Sequence, residues 1–200
     1  PELVLIEPSE AAINEGETVQ VNATVLNDGN SADTVTVELV REQDNQQFDN
    51  SSITIDAETN ETVSLVTTPL DETTTLSVQG LAPTRNVTID VGELDLVNTE
   101  IATETPVTTG ETVTVNVTVD NPGTAEVTGF LNLRRNGTIV NDTQVTIPPK
   151  PSGDQKFVQL TASLPQGTES TTQVLNVTNS LNNQSVNAGT ITVESPADTG

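Results

Sequence analysis

The sequence has no Cys, His, Met, Trp or Tyr, three Phe, and six Lys and Arg in 200 residues. Each absence removes a class of chemistry. Without imidazole or thiolate there is no ligand set for zinc, iron or copper. Ser-His and Cys-His nucleophiles are excluded as well. No disulfide framework can form. The longest unbroken aliphatic run is Leu3-Val4-Leu5-Ile6, far short of the roughly 20 apolar residues of a membrane-spanning helix. Neither a membrane span, nor a cofactor, nor a metal site, nor a catalytic residue is expected in this chain.

What is present is acid. Twenty-nine Asp and Glu give a formal net charge of −23. Such a surface repels phosphate, so nucleic acid and anionic lipid are excluded as partners. Self-repulsion at low salt opposes compaction, whereas at 1 M the Debye length falls to about 3 Å. Val, Leu, Ile and Phe together make 54 residues, or 27% of the chain. That exceeds the roughly 20% below which a highly charged chain stays disordered. The core must therefore be aliphatic and thin. With only Lys150 and Lys156 as lysines, the acidic, Thr-rich composition resembles that of proteins from extreme halophiles.

The chain repeats itself. Gly16-Glu17-Thr18-Val19-Gln20-Val21-Asn22-Ala23-Thr24-Val25 matches Gly110-Glu111-Thr112-Val113-Thr114-Val115-Asn116-Val117-Thr118-Val119 at a constant offset of 94. The match runs on through Asn27/Asn121, Gly29/Gly123, Thr34/Thr128 and Leu39/Leu133. Glu2-Leu3-Val4-Leu5 aligns with Glu93-Leu94-Asp95-Leu96 at an offset of 91, which puts three extra residues into the second copy. The boundary falls near Gly92, giving domains 1–92 and 93–200. Within each copy the apolar period is two, as in Val19, Val21, Ala23 and Val25, the signature of half-buried antiparallel strands. Pairs such as Ile53-Ile55, Val63-Leu65, Leu76-Val78 and Val87-Ile89 mark later strands of the first copy. Val145-Ile147, Val158-Leu160, Leu175-Val177 and Ile191-Val193 mark those of the second. Phe130 and Phe157 fall where core is expected. Asn136-Gly137 signals a hairpin, and Pro148–Gly153 a loop. Asn27-Asp28-Gly29 and Asn121-Pro122-Gly123 read as turns in which Gly supplies a positive φ. Some seven strands per copy imply an all-β chain of two tandem immunoglobulin-like antiparallel β-sandwiches.

A strand opening with Leu-Val or Asp-Leu, then Gly-Glu-Thr-Val-x-Val-x-x-Thr-Val, then Asn-x-Gly, resembles the CARDB group of immunoglobulin-like domains. The resemblance covers about 40 residues at the start of each copy. It implies a tandem module of a surface or secreted protein with a structural or adhesive role, hence extracellular or cell-surface localisation.

Three sets of residues are candidates for function. Asn27–Asp33 is rich in oxygen but lacks the order and closing Glu of a calcium loop. A turn held by Asn and Gly explains both copies, where calcium would explain one. Nine Asn lie in Asn-x-Ser/Thr: Asn22, Asn50, Asn60, Asn86, Asn116, Asn136, Asn141, Asn176 and Asn183. With 19 Asn and 47 Ser and Thr, composition alone accounts for about half that number. Asn22, Asn86, Asn116 and Asn176 sit between apolar neighbours, so alternation turns them outward to carry N-glycans. Leu3, Val4, Leu5 and Ile6 are apolar on both faces of a strand and are candidates for subunit contact through a sheet edge. Together these point to a non-enzymatic exterior subunit of a halophilic archaeon, with copies of itself as filament neighbours. A halovirus spike or fibre, or a module of a larger surface protein, are the alternatives. The polar tail 194–200 is expected to be held by such an assembly.

The charge makes a direct prediction. The thermal midpoint followed by circular dichroism should rise steadily between 0.15 M and 2 M KCl. A midpoint that does not change with salt would mean that self-repulsion does not limit stability.

Overall fold

The computed structural model describes residues 1–150, 155–164 and 171–194. These residues form sixteen strands and no helix. The chain divides into two compact units, Pro1–Gly92 with Gly123–Ala125, and Glu93–Pro122 with Glu126–Gly200.

The first unit contains β1 (Glu2–Glu7), β2 (Glu10–Asn14), β3 (Gln20–Asn27), β4 (Asp33–Arg41), β5 (Gln46–Ile55), β6 (Thr59–Val66), β7 (Thr74–Gln79) and β8 (Arg85–Gly92). One sheet has the order β1-β3-β6, the other β2-β8-β7-β4-β5. The second unit contains β9 (Asp95–Ile101), β10 (Val107–Thr108), β11 (Thr112–Asp120), β12 (Val127–Arg135), β13 (Thr138–Ile147), β14 (Lys156–Ser163), β15 (Thr171–Asn179) and β16 (Ser185–Glu194). Its sheets, β9-β11-β14 and β10-β16-β15-β12-β13, repeat that order strand for strand. Both units are immunoglobulin-like sandwiches.

Alternation builds both cores. Val21, Ala23 and Val25 of β3 are fully buried, as are Val113, Val115, Val117 and Val119 of β11. Opposite them lie Val37, Leu39, Leu76, Val78 and Ile89 in the first unit, and Leu131, Leu133, Leu175, Val177 and Ile191 in the second.

Five expectations need correction. First, each unit has eight strands rather than seven. The opening strand splits at Pro8, whose missing N–H ends the ladder, and the chain resumes as β2 on the other sheet. There β2 runs parallel to β8, and β10 likewise runs parallel to β16, so the sheets are not wholly antiparallel. Second, Leu3 pairs with Val25 and Leu96 with Val119. The true offset of the opening strands is therefore 93, with one extra residue in the second copy. A two-residue slip leaves the alternation in phase, so periodicity could not detect it.

Third, Phe130 and Phe157 are not core residues: they are 42% and 59% exposed. Each sits next to an inward residue, Leu131 and Val158 respectively, and so faces outward. Fourth, Gly29 and Gly123 lack positive φ; among the described residues the glycines that have it are Gly16, Gly80, Gly110, Gly137 and Gly189. Gly29 is small for another reason. The Asn27 side-chain oxygen accepts a hydrogen bond from its N–H at 3.1 Å, and an added Cβ would lie 3.0 Å from that oxygen. Fifth, Leu3–Ile6 does not expose both faces evenly. A bulge between Leu3 and Leu5 turns Leu3 and Ile6 inward together, at 1% and 7% exposure, while Leu5 stays outward.

The positive φ belongs to the Gly-Glu-Thr motif itself. Gly16 (φ 81°) and Gly110 (φ 89°) are the third residues of turns closed by Glu17 N–H on the Asn14 carbonyl and Glu111 N–H on the Thr108 carbonyl. A type II turn needs Gly there. The glutamate closes the turn a second time: its carboxylate accepts the N–H of Asn14 at 3.0 Å or of Thr108 at 2.7 Å. The Asn136-Gly137 hairpin has positive φ at both residues, as a type I′ turn requires. Of the loop 148–153, residues 151–153 lie outside the described residues, as does 195–200 of the tail.

Asn27 and Asn121 lie buried at the ends of β3 and β11. Asn27 Nδ2 donates to the carbonyls of Ser31 at 2.8 Å and Ile55 at 3.0 Å. Asn121 Nδ2 donates to the matching carbonyl, Ile147, at 3.0 Å. Asn27→Ala should cost about 1–3 kcal/mol, because it strands buried backbone groups. Urea unfolding in molar salt measures this. A loss below roughly 0.5 kcal/mol, the range of ordinary surface changes, would show that the amide does not hold the turn.

Candidate functional site

The scarce cations are consumed within the fold. Arg85 Nε donates to the Leu3 carbonyl at 3.1 Å, and Arg134 to that of Gly137 at 2.9 Å. Arg135 donates to the Ser163 carbonyl and Lys156 Nζ to the Thr146 carbonyl, both at 3.1 Å. Arg41 pairs with Asp44 at 2.9 Å and Glu72 at 3.7 Å, and Lys150 with Asp120 at 2.6 Å. Four of the six thus serve backbone carbonyls, leaving most of the 29 carboxylates without a cationic partner.

Arg41 stands at a cavity of about 350 Å³ lined by Gln46, Phe48, Thr68, Pro69, Leu70, Asp71 and Glu72. Its guanidinium lies over the Phe48 ring, 5.7 Å from the centroid. It also donates to Asp44 through Nε and Nη2, and to Gln46. The hydrogen bond from Arg41 holds the Asp44 carboxyl below its ordinary range, and the same bond raises the Arg41 guanidinium. A general acid needs the opposite shift, upward toward neutrality, so this cluster is arranged as a brace rather than as an acid-base pair. No group of three or more Asp and Glu among the described residues could hold a metal ion. At Asn27–Asp33, the Asn27 amide is engaged in the turn itself.

The nine sequon asparagines lie on strands and turns of both units. Asn22 is on β3, Asn50 on β5, Asn60 on β6, Asn86 on β8, Asn116 on β11, Asn141 on β13 and Asn176 on β15. Asn136 and Asn183 occupy turns at positive φ. Asn50, Asn60, Asn86, Asn136 and Asn183 are exposed, and the other four are half-buried. Asn86 Nδ2 donates to Glu42 at 2.6 Å. Asn22 Oδ1 accepts from Ser64 at 2.7 Å, and Asn136 Oδ1 from the Val174 N–H at 2.9 Å. Of the contact candidates, Leu3 and Ile6 are in the core of the first unit, Val4 is half-buried and Leu5 is 46% exposed on edge strand β1. Sequence reasoning missed the Arg41 cavity, which loops distant in sequence bring together.

No family model matches the chain, and no curated protein matches it. Several solved structures do. The crystal structure of the CARDB domain of a Pyrococcus furiosus protein, in complex with di-metal ions, aligns at 18% identity over 52% of this chain and 96% of that one, with a TM-score of 0.39. The solution structure of that domain aligns at 21% identity over 50% and 95%, also with a TM-score of 0.39. The I9–I11 tandem of titin aligns at 12% identity over 96% of this chain and 66% of that one, with a TM-score of 0.44. The fold assignment rests on the strand order above. An immunoglobulin-like sandwich does not by itself name an activity.

The Asp44 shift fixes a pH dependence. A depressed carboxyl stabilises the fold above its unfolded value, near 3.8, and that contribution fades as pH falls through the lower folded value. The pair is exposed, so the effect is small. The stability gap between the wild type and Asp44→Asn should be constant at pH 5–7 and narrow as pH falls below about 4. A gap that widens on acidification would contradict this assignment.

Proposed function

We propose that this chain is a passive structural subunit of an exterior assembly, a surface filament of a halophilic archaeon, resembling CARDB modules in its repeated Gly-Glu-Thr and Asn-x-Gly pattern. The observation that carries the reading is the β1-β3-β6 sheet. Its outer face carries Gln20, Asn22, Thr24, Asn60, Thr62 and Ser64 beside Glu2, Glu7 and Leu26, and each edge strand bears an exposed outward aliphatic side chain: Leu5 on β1 at 46% exposure and Val66 on β6 at 42%. Edges of this kind suit head-to-tail pairing, in which β1 of one copy meets β6 of the next. Such a heterologous contact produces an open filament. Acidic side chains keep the remaining surface hydrated, and N-glycans on the outward sequons would add to that shell.

Electron microscopy of native-source protein in molar salt tests the assembly, and mass spectrometry of the same sample tests the glycans. Regular filaments of one species are expected, with sugar mass on sequon peptides. Leu5→Glu should disperse the filaments without unfolding the subunit, because Leu5 lies outside the core that holds Leu3 and Ile6. Dispersed wild-type monomers at all salt concentrations would overturn the filament reading.

A further inference from the structure

Two of the three phenylalanines lie in water, and one of them stands beside a sequon. The register of β11 with β14 places Thr118 directly opposite Phe157, and Asn116 directly opposite Gln159. Asn116-Val117-Thr118 is the sequon, and Val117 between its two outer members is fully buried. Asn116, Thr118, Phe157 and Gln159 therefore share the outer face of one sheet, with Phe157 diagonal to Asn116. Diagonal neighbours on adjacent strands lie about 7–8 Å apart, within reach of an aromatic ring.

The amide is also held by a neighbour. Gln159 Nε2 donates to Asn116 Oδ1 at 3.1 Å. The other amide atom, Nδ2, is the one that carries an N-linked sugar. The ring is 59% exposed, an apolar surface beside Thr118, Asn116 and Gln159, with Asn98 and Glu100 on the far side of β11. A sugar bonded to Nδ2 presents weakly positive C–H groups, and the ring face is negative. We propose that Phe157 is the platform on which the first sugar of an Asn116-linked glycan stacks, so that the glycan is fastened to the second unit rather than swinging free.

This rests on the glycoprotein part of the proposed function. The first unit supplies an internal control. Its matching sequon, Asn22-Ala23-Thr24, faces Ser64 and Thr62 on β6, where no ring is available. A glycan on Asn22 should therefore gain no such contact.

The test uses the full chain made in a halophilic archaeal host that N-glycosylates and in a bacterial host that does not. Glycopeptide mass spectrometry first reads Asn116. A double-mutant cycle in molar salt then follows Tm. In the glycosylated protein, Asn116→Gln should lower Tm by about 4 °C with Phe157 present and by less than about 1 °C in the Phe157→Ala background. Phe157→Leu, which keeps apolar bulk without a π face, should behave like Phe157→Ala, and Phe157→Trp should retain the coupling. In bacterial protein both backgrounds should respond equally to Asn116→Gln. Asn22→Gln should be additive with Phe157→Ala throughout. A bare Asn116 peptide would overturn glycosylation at this site and the platform with it. Sugar mass at Asn116 with equal Tm losses in both backgrounds would overturn the platform alone.

Discussion

Burial of short aliphatic side chains between two sheets has to hold each unit together almost unaided. No aromatic residue fills either core, and Phe48 reaches only the margin of the first. A fully buried valine or leucine stabilises by about 1.5–3 kcal/mol, against an ordering cost of about 1–2 kcal/mol for each backbone residue. A margin that narrow tolerates few unpaired buried groups. Three buried amides are accordingly set at ladder ends, where each bonds to backbone, whereas Gln173 Oε1 on β15 lies buried without a partner. Asn27 and Asn121 reach the carbonyls that end β5 and β13. Asn179 donates to the Leu94 carbonyl and accepts the Leu181 N–H.

The basic residues follow the same logic. Placing Arg85, Arg134, Arg135 and Lys156 on backbone carbonyls treats guanidinium and ammonium as stitching for loops and strand ends. Little positive charge is left to meet the carboxylates, so their compensation must come from ions in the medium. Composition, core size and cation placement are thus one arrangement: a lean sandwich whose acidic exterior depends on its solvent.

Much of this was legible in the residues. Valine alternation located β3 and β11 and nearly every later strand, because a period of two survives wherever one face is buried. The repeat gave two units of one kind. The misreadings have a common cause: side-chain pattern was visible, whereas backbone geometry was not. Parity alone could not choose between offsets of 91 and 93. Gly29 and Gly16 look alike in a sequence, yet only Gly16 needs a left-handed backbone. Strand β2, Glu-Ala-Ala-Ile-Asn, buries no residue fully, so it left no periodic trace. Phe130 and Phe157 fall within strands that feed the core, but phase places them outward. That difference matters for function, since an outward ring has chemistry available that a core ring does not. The juxtaposition of Phe157 with Asn116 depends on a register spanning some forty residues, which no local pattern encodes.

The split of the opening strand at Pro8 has a mechanical consequence. Five residues of β2, Glu10–Asn14, run parallel to Thr88–Gly92 of β8. A load drawn through the two ends of the first unit pulls the start of β2 one way and the end of β8 the other, along the strand axis. The hydrogen bonds between them then bear the load side by side, in shear, and must yield together. An antiparallel pair at the same place would open one bond at a time from its end. Among the described residues the second unit shows the same geometry, with Val107 and Thr108 against Val193 and Glu194. Under tension each sandwich therefore carries a shear clamp between its early parallel strand and its last strand.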